Sequence, residues 1–177
     1  FMEALKSGEY DPDRTALLIT QTGGGCRASN YIHLLRKCMA EHYPQVPVIS
    51  LNFAGLEKRK GFSLTAGMCV KLIYGVLYAD LLMTLYNQCL PYELNKGETD
   101  QVKQHWQEKL PTLFHGVKYL SAEKIYQEML TDFASIPRSQ KKKIKVGIIG
   151  EIYVKYSPLA NNHLEEFLIQ EGCEPVV

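Results

Sequence analysis

Short apolar runs near the start of the chain flank a segment of helical periodicity. Residues 16–20 form an apolar run typical of a buried strand. Residues 29–43 place apolar side chains near helical spacing, with Ser29 or Asn30 available as a cap. Residues 48–52 form a second apolar run. Two short strands joined by a helix make a βαβ unit, so this pattern predicts a parallel pair of strands.

The apolar segment over residues 62–90 is long enough to raise the question of a membrane-spanning helix. Lys71 and Asp80 lie inside it, and a charged residue at bilayer depth costs about 2.5–3.5 kcal/mol on insertion scales. We therefore expect a buried helix, or a kinked pair of helices, that ends before Pro91. On the same argument we expect no membrane partner.

Two further helices are predicted in the middle of the chain. Residues 98–110 indicate an exposed helix that carries Trp106, and residues 121–134 indicate a helix with Ser121 as a plausible cap. No strand pattern separates these segments. Residues 62–140 are therefore predicted to be a mainly helical insert.

The last part of the chain returns to the strand–helix pattern. Residues 145–152 form the clearest strand signal, and residues 161–171 favour a helix that Gly172 ends. A further strand is expected to begin at Pro175. This order predicts a second βαβ unit.

The fold class predicted from these elements is α/β, with Rossmann-like parallel βαβ units and a mainly helical insert between them. The corresponding divisions are 1–61 for the first βαβ unit, 62–140 for the helical region and 141–177 for the second βα unit. The chain begins with Phe1 rather than Met and ends on what reads as the start of a strand. We therefore expect it to be a piece of a longer protein.

Composition and charge narrow the classes of function. The 177 residues are 46% hydrophobic, and the formal net charge is +1, so no strong positive field favours a nucleic-acid partner. The five cysteines are irregularly spaced and contain no Cys-x-x-Cys pair, which argues against a zinc ribbon and a thioredoxin motif. Without a recognisable secretory segment, free thiols and a cytoplasmic location are expected.

The segment over residues 21–31 is the first candidate site. Gly23, Gly24 and Gly25 allow positive φ angles and close approach of a ligand to the backbone. The predicted helix that follows, with Arg27 near its start, offers free N–H groups and a positive dipole end to an anion or phosphate. The glycines lack the Lys-Ser or Lys-Thr of a P-loop and the spacing of the dinucleotide fingerprint.

Cys26 adds a thiol to this segment. A cysteine near a helix N-terminus and beside Arg27 is expected to have a lowered pKa and more thiolate, the form that binds iron or attacks electrophiles. Three interpretations remain open: a small residue that fills a tight turn, an iron–sulfur ligand, or a nucleophile. The other cysteines lie on apolar helical stretches or after Gly172, and we expect them to be structural.

Glu151 and Lys155 form the second candidate site. They follow the strand predicted over residues 145–152, and open α/β sheets bind ligands at the carboxyl ends of their strands. These two side chains are candidates for orienting a substrate or a partner. The alternative is that they pair with each other or with water, as polar residues at strand ends commonly do.

Three motifs in the sequence resemble a known family. Residues 21–31, residues 48–52, and residues 146–155 with Asn161 and Asn162 resemble the large proteins related to the 2-hydroxyacyl-CoA dehydratase activators. In those proteins an ATPase activase region is fused to a region similar to the dehydratase subunits. The resemblance covers most of the chain, from about Arg14 to Val177.

The resemblance implies a cofactor and a reaction. Dehydratase-type subunits carry a 4Fe–4S cluster held by cysteines between Rossmann-like lobes, and an activase that hydrolyses ATP drives a low-potential electron into them. The dehydratase then removes water from a 2-hydroxyacyl-CoA. Carried over to this sequence, Cys26 is the position that resembles a cluster ligand, and acyl-CoA and activase or dehydratase subunits are the implied partners.

The sequence also departs from the family. It contains no activase phosphate motif, and only one cysteine resembles a cluster ligand, whereas a cluster needs several. The expected function is therefore that of a fragment of a reductive dehydratase-like iron–sulfur enzyme, cluster-free and inactive alone, with the cluster in the full-length parent. The alternative is a phosphate-binding, CoA-binding or subunit-docking module without catalysis of its own.

Overall fold

A computed structural model describes residues 1–21, 27–52 and 65–177. The chain is a mixed helix and strand protein, 62% helical, with two small parallel sheets. It divides into two compact units, Phe1–Phe62 and Ser63–Val177. The prediction of a mixed α/β chain is confirmed at this level.

The first unit contains one parallel pair of strands and the helix between them. Its elements are α1 (Met2–Lys6), a 3-10 turn at Pro12–Arg14, β1 (Leu17–Gln21), α2 (Arg27–His42) and β2 (Val48–Asn52). The strands pair in parallel from Leu17 opposite Val48 to Gln21 opposite Asn52, which confirms the predicted pairing. Apolar side chains from both strands, α1 and α2 share one core, formed by Leu5, Leu17, Ile32, Met39, Val46 and Val48.

Three long helices build the main part of the second unit. They are α3 (Ala66–Cys89), α4 (Glu98–Leu113) and α5 (Ala122–Ala134), with 3-10 turns at Leu90–Tyr92 and Lys118–Leu120. Their shared core consists of Tyr78, Leu82, Cys89, Trp106, Tyr119, Ile125, Met129, Phe133 and Ile136.

The prediction of an exposed helix around Trp106 was wrong for that residue. Trp106 is completely buried, and its indole N–H donates a 2.9 Å hydrogen bond to an Asp132 carboxylate oxygen. Helix α4 is amphipathic: it buries Trp106 and Thr99 while most of its other side chains face solvent. Trp106 therefore marks the inner face of α4.

Helix α3 is a single helix of 24 residues rather than a kinked pair. The Thr65 side chain accepts the N–H of Met68 at 3.2 Å and caps its start. The prediction of a buried helix was wrong for its N-terminal half, where Ile73 is 60% exposed and Val76 is 67% exposed. By length and composition the apolar stretch Ala66–Tyr92 is able to cross a membrane, a property that core helices of soluble proteins share.

The second unit ends with the predicted second parallel pair. Its elements are β3 (Lys145–Gly147), α6 (Ile152–Tyr156), α7 (Pro158–Asn161), α8 (Leu164–Gln170) and β4 (Glu174–Val176). Strands β3 and β4 pair in parallel, from Lys145 opposite Glu174 to Gly147 opposite Val176. In the part of the chain that the structure describes, this sheet and the β1–β2 sheet each have two strands.

Two predicted boundaries in this region were wrong. The strand predicted over 145–152 ends at Gly147, because Glu151 caps a new helix by accepting the N–H groups of Tyr153 and Val154. The helix predicted over 161–171 is split into α7 and α8. Asn162 and His163 break it, since both adopt left-handed backbone angles, with φ of 54° and 56°.

Candidate ligand-binding site

The carboxyl edge of the β1–β2 sheet is held by the side chain of Gln21. Its amide Nε2 donates to the carbonyl oxygen of Ser29 in the first turn of α2, at 3.3 Å. Its Oε1 accepts from the Ser50 hydroxyl on β2, at 2.8 Å. One side chain therefore joins the end of β1, the neighbouring strand and the start of the helix. Gln21 is the last described residue before the glycine-rich segment.

The first predicted site lies partly outside the described residues. Gly23, Gly24, Gly25 and Cys26 fall in the segment 22–26, which the structure does not describe. Arg27 is the first residue of α2 and is exposed. Helix α2 has 16 residues, and the N-terminus of such a helix carries the positive end of its dipole. That arrangement suits an anionic group.

The second predicted site, formed by Glu151 and Lys155, lies on α6 in the second unit. A Glu151 carboxylate oxygen accepts the N–H groups of Tyr153 at 3.0 Å and Val154 at 3.3 Å, so this side chain caps the helix. The backbone N–H of Lys155 donates to the Glu151 carbonyl at 2.8 Å. The Lys155 ammonium lies over the Tyr156 ring, 5.1 Å from its centroid. Both side chains have local contacts, and the predicted site residues are divided between the two units.

The described cysteines are free thiols with different surroundings. Cys89 is buried in the helical core, and Cys38 packs against the core of the first unit. Burial raises the pKa of the Cys89 thiol, although the nearby Arg138 opposes that shift. Cys69 and Cys173 are partly exposed. Among the described residues no group of three or more His, Cys, Asp or Glu side chains is arranged to hold a metal ion.

A groove in the second unit was missed by the sequence reasoning. It lies between α3 and α4 on one side and the α6–α8 segment on the other, with a volume of about 720 Å³. Tyr86, Lys103 and Gln107 supply polar groups to it. Lys103 and Gln107 are four residues apart on α4, so a shared face was readable from the sequence. The hydrophobic periodicity of a helix does not show which of its faces borders a groove, because that depends on tertiary packing.

The carboxylate of Glu174 is the most buried acid of the second unit. It accepts hydrogen bonds from the Tyr92 hydroxyl at 2.7 Å and from the Lys145 ammonium at 3.0 Å. Burial acts to raise the pKa of Glu174, but these hydrogen bonds and the Lys145 charge outweigh it and hold the pKa below its ordinary value. The cluster fixes β4 against the turn after α3, which is a structural role.

Comparisons with known proteins give no relative for this chain. No family model matches it, no curated protein matches it, and no solved structure matches it.

Proposed function

We propose that this chain is a Rossmann-like part of a cytoplasmic dehydratase-like iron–sulfur protein, related to the 2-hydroxyacyl-CoA dehydratases and their ATP-dependent activases. In this proposal Cys26 is one thiolate ligand of a 4Fe–4S cluster. The observation that carries the proposal is the bonding of Gln21 to Ser29 and Ser50 at the edge where β1 and β2 end in register. The bond to Ser29 connects a described residue before Cys26 with a described residue after it.

The positions of the three family-like motifs support the proposal. The first begins at the last residue of β1, the second is β2 itself, and the third runs from β3 into α6. Two of the motifs therefore include a carboxyl end of a parallel strand followed by a helix. Ligands of open α/β sheets bind at such ends, which supports a ligand-binding role for these motifs.

The reaction itself is proposed for the whole protein rather than for this chain. A 4Fe–4S cluster is normally held by four ligands, so other cysteines must complete the set that Cys26 begins. The cluster supplies the low-potential electron when it is bound. An acyl-CoA substrate and the activase or dehydratase subunits are the proposed partners, and the chain alone is proposed to be inactive.

Anaerobic reconstitution with iron and sulfide tests the cluster role. The full-length protein that contains this sequence is loaded, and its iron content and absorbance spectrum are compared with those of a Cys26→Ser variant. Cys69→Ser is the matched control, because Cys69 is a partly exposed thiol on α3 in the other unit. We expect Cys26→Ser to lose iron and Cys69→Ser to retain it. Equal iron contents and spectra in all three proteins would exclude Cys26 as a ligand.

A second candidate function is binding of phosphate or CoA without catalysis. The exposed Arg27 at the start of α2 favours it, because a cation and a helix N-terminus act on an anion together. Millimolar CoA or inorganic phosphate is then expected to raise the melting temperature by mass action. Arg27→Ala should abolish the shift, whereas the exposed Lys37→Ala on the same helix should retain it. An unchanged melting temperature in the unsubstituted protein would count against this candidate.

A further inference from the structure

The groove between α3, α4 and the α6–α8 segment has a largely apolar lining. Ala79, Leu82 and Met83 line it from α3, and Leu110 and Phe114 line it from the α4 side. Its volume of about 720 Å³ is in the range of small-molecule sites. A smaller depression of about 150 Å³ continues it toward Asn161 and His163, and the two share Tyr86, Lys103, Pro158 and Glu165. The shape suits an elongated ligand with an apolar body.

Lys103 supplies the positive charge of this groove. Its ammonium lies over the Tyr86 ring, 3.9 Å from the centroid, and the Tyr86 hydroxyl donates to an Asp100 oxygen at 2.9 Å. Burial and this hydrogen bond to Asp100 raise the pKa of Tyr86, so the phenol stays neutral. Among the described residues Lys103 makes no ion pair. Lys103 is partly buried as a residue, and an ammonium that forms no ion pair favours an anionic ligand group.

The opposite wall limits how much negative charge the ligand carries. Glu165 lines both parts of the groove, and its Oε2 accepts a 3.3 Å hydrogen bond from the Asn87 amide. Beside it Glu166 contacts the His163 ring nitrogen at 3.0 Å. Lys103, Glu165 and Glu166 line the same small depression, so these carboxylates repel a phosphate dianion more strongly than a monocarboxylate, which carries half the charge. Gln107, one turn along α4, is a further amide donor on the lysine side.

We propose that this groove binds a monocarboxylate with an unbranched apolar chain, with the carboxylate at Lys103 and the chain along Leu82, Met83 and Phe114. The proposal does not depend on a cluster or on the proposed dehydratase role. The groove lies entirely within the second unit, and Cys26 belongs to the first. The two proposals can therefore fail separately.

Methionine methyl groups report the location of binding. Three of the five methionines in the chain serve as reporters. Met83 lines the groove, Met129 is completely buried in the helical core, and Met39 is buried in the first unit. With methyl-labelled protein, decanoate below its micelle-forming concentration is expected to shift the Met83 signal saturably and to leave Met39 and Met129 in place. An unshifted Met83 signal, or equal shifts of all three, overturns the proposal.

Ligand and side-chain variants test the chemistry. Decanoate should bind more tightly than 1-decanol or decyltrimethylammonium, and Lys103→Met should weaken decanoate about fivefold or more, by loss of one charge-assisted contact. Lys118→Met is the matched control, because Lys118 is exposed and does not line the groove. Equal affinity for the alcohol or the ammonium compound, or an unchanged affinity in Lys103→Met, overturns the role of Lys103.

Filling the groove supplies a test that does not depend on charge. Ala79 is exposed on α3 and lines the groove, so Ala79→Phe places an aromatic ring in the groove without disturbing the core. We expect this variant to keep its melting temperature and lose decanoate binding. Ala134→Phe, at the exposed end of α5 outside the groove, should bind normally. Full binding by a folded Ala79→Phe variant overturns the location of the site.

Discussion

The hydroxyl of Tyr92 donates a 2.7 Å hydrogen bond to a carboxylate oxygen of Glu174, and this contact joins the turn after α3 to β4. The residues are 82 positions apart in the sequence. The ammonium of Lys145 bonds the other carboxylate oxygen at 3.0 Å, from the neighbouring strand β3. The short β3–β4 pair is therefore fixed to the helical part of the unit through one buried acid.

Glu174→Gln is expected to lower the free energy of unfolding at neutral pH by about 1–3 kcal/mol, because it removes the charge from a buried, hydrogen-bonded group. The folded-state pKa of Glu174 is lowered. The contribution of the ionised side chain to the free energy of unfolding is therefore fully present above the unfolded pKa of about 4.3, and it disappears as pH falls through the folded pKa. Urea unfolding at pH 7 and at successively lower pH should show the difference between the two proteins shrinking below about pH 4.3. The exposed Glu171→Gln serves as the control; a pH-independent difference for Glu174→Gln would contradict the prediction.

The buried indole of Trp106 depends on the carboxylate of Asp132 for its hydrogen bond. Asp132→Ala leaves the N–H without that partner, so we expect a loss of about 1–3 kcal/mol in the free energy of unfolding. Asp132→Asn should lose less, since its amide oxygen can still accept. Because Trp106 is the one tryptophan of the chain, its fluorescence follows unfolding directly. Asp80→Ala, on the exposed side of α3, is the control and should leave stability nearly unchanged.

Gln21 is expected to hold the strand edge of the first unit. Gln21→Ala removes the bonds to Ser29 and Ser50 and should cost about 1–2 kcal/mol, whereas Ser50→Ala removes only one of them and should cost less. Hydrogen-exchange mass spectrometry should show faster exchange in β1 and the first turn of α2. Helices α3, α4 and α5 should exchange as before, because they belong to the other compact unit. Unchanged exchange in β1 would contradict this role.

Elements with a local signal were predictable from the sequence. The strand pair formed by β1 and β2 follows from two apolar runs separated by a helical period, and Gly172 ends α8 with a φ of +79°. The break between α7 and α8 was not predictable in this way. It rests on left-handed angles at Asn162 and His163, neither of which is glycine.

The sequence pattern also does not predict which face of a helix packs against its neighbours. Apolar residues surround α3, so its pattern does not distinguish the face that packs on α4 and α5 from the face that stays bare. The burial of Trp106 and the position of Lys103 beside Tyr86 depend on the same tertiary packing. The Cys26 ligand role stays a prediction, because residues 22–26 lie outside the described part of the chain.

Cys89 is expected to react slowly with thiol reagents. It is 1% exposed, and burial raises its pKa, so the thiolate is both rare and inaccessible. Brief treatment of the native protein with iodoacetamide, followed by peptide mass spectrometry, should label Cys69 and Cys173 before Cys89. In denaturant the three should react at similar rates. Native labelling of Cys89 as fast as Cys69 would show that the helical core opens readily.

The exposed half of α3 is expected to tolerate a charge that its inner face does not. Val76 is 67% exposed and Leu82 is 8% exposed on the same helix. Val76→Glu should therefore change the free energy of unfolding by less than about 0.5 kcal/mol. Leu82→Glu should prevent stable folding, because it buries an unpaired charge.

Vesicle flotation of the unsubstituted protein tests the expectation of no membrane partner. Tyr78, Leu82 and Cys89 are packed into the helical core, and inserting α3 into lipid would separate these side chains from that core. Recovery in the aqueous fraction is the expected result. Co-flotation that Val76→Glu abolishes would instead establish this half of α3 as a membrane-binding surface.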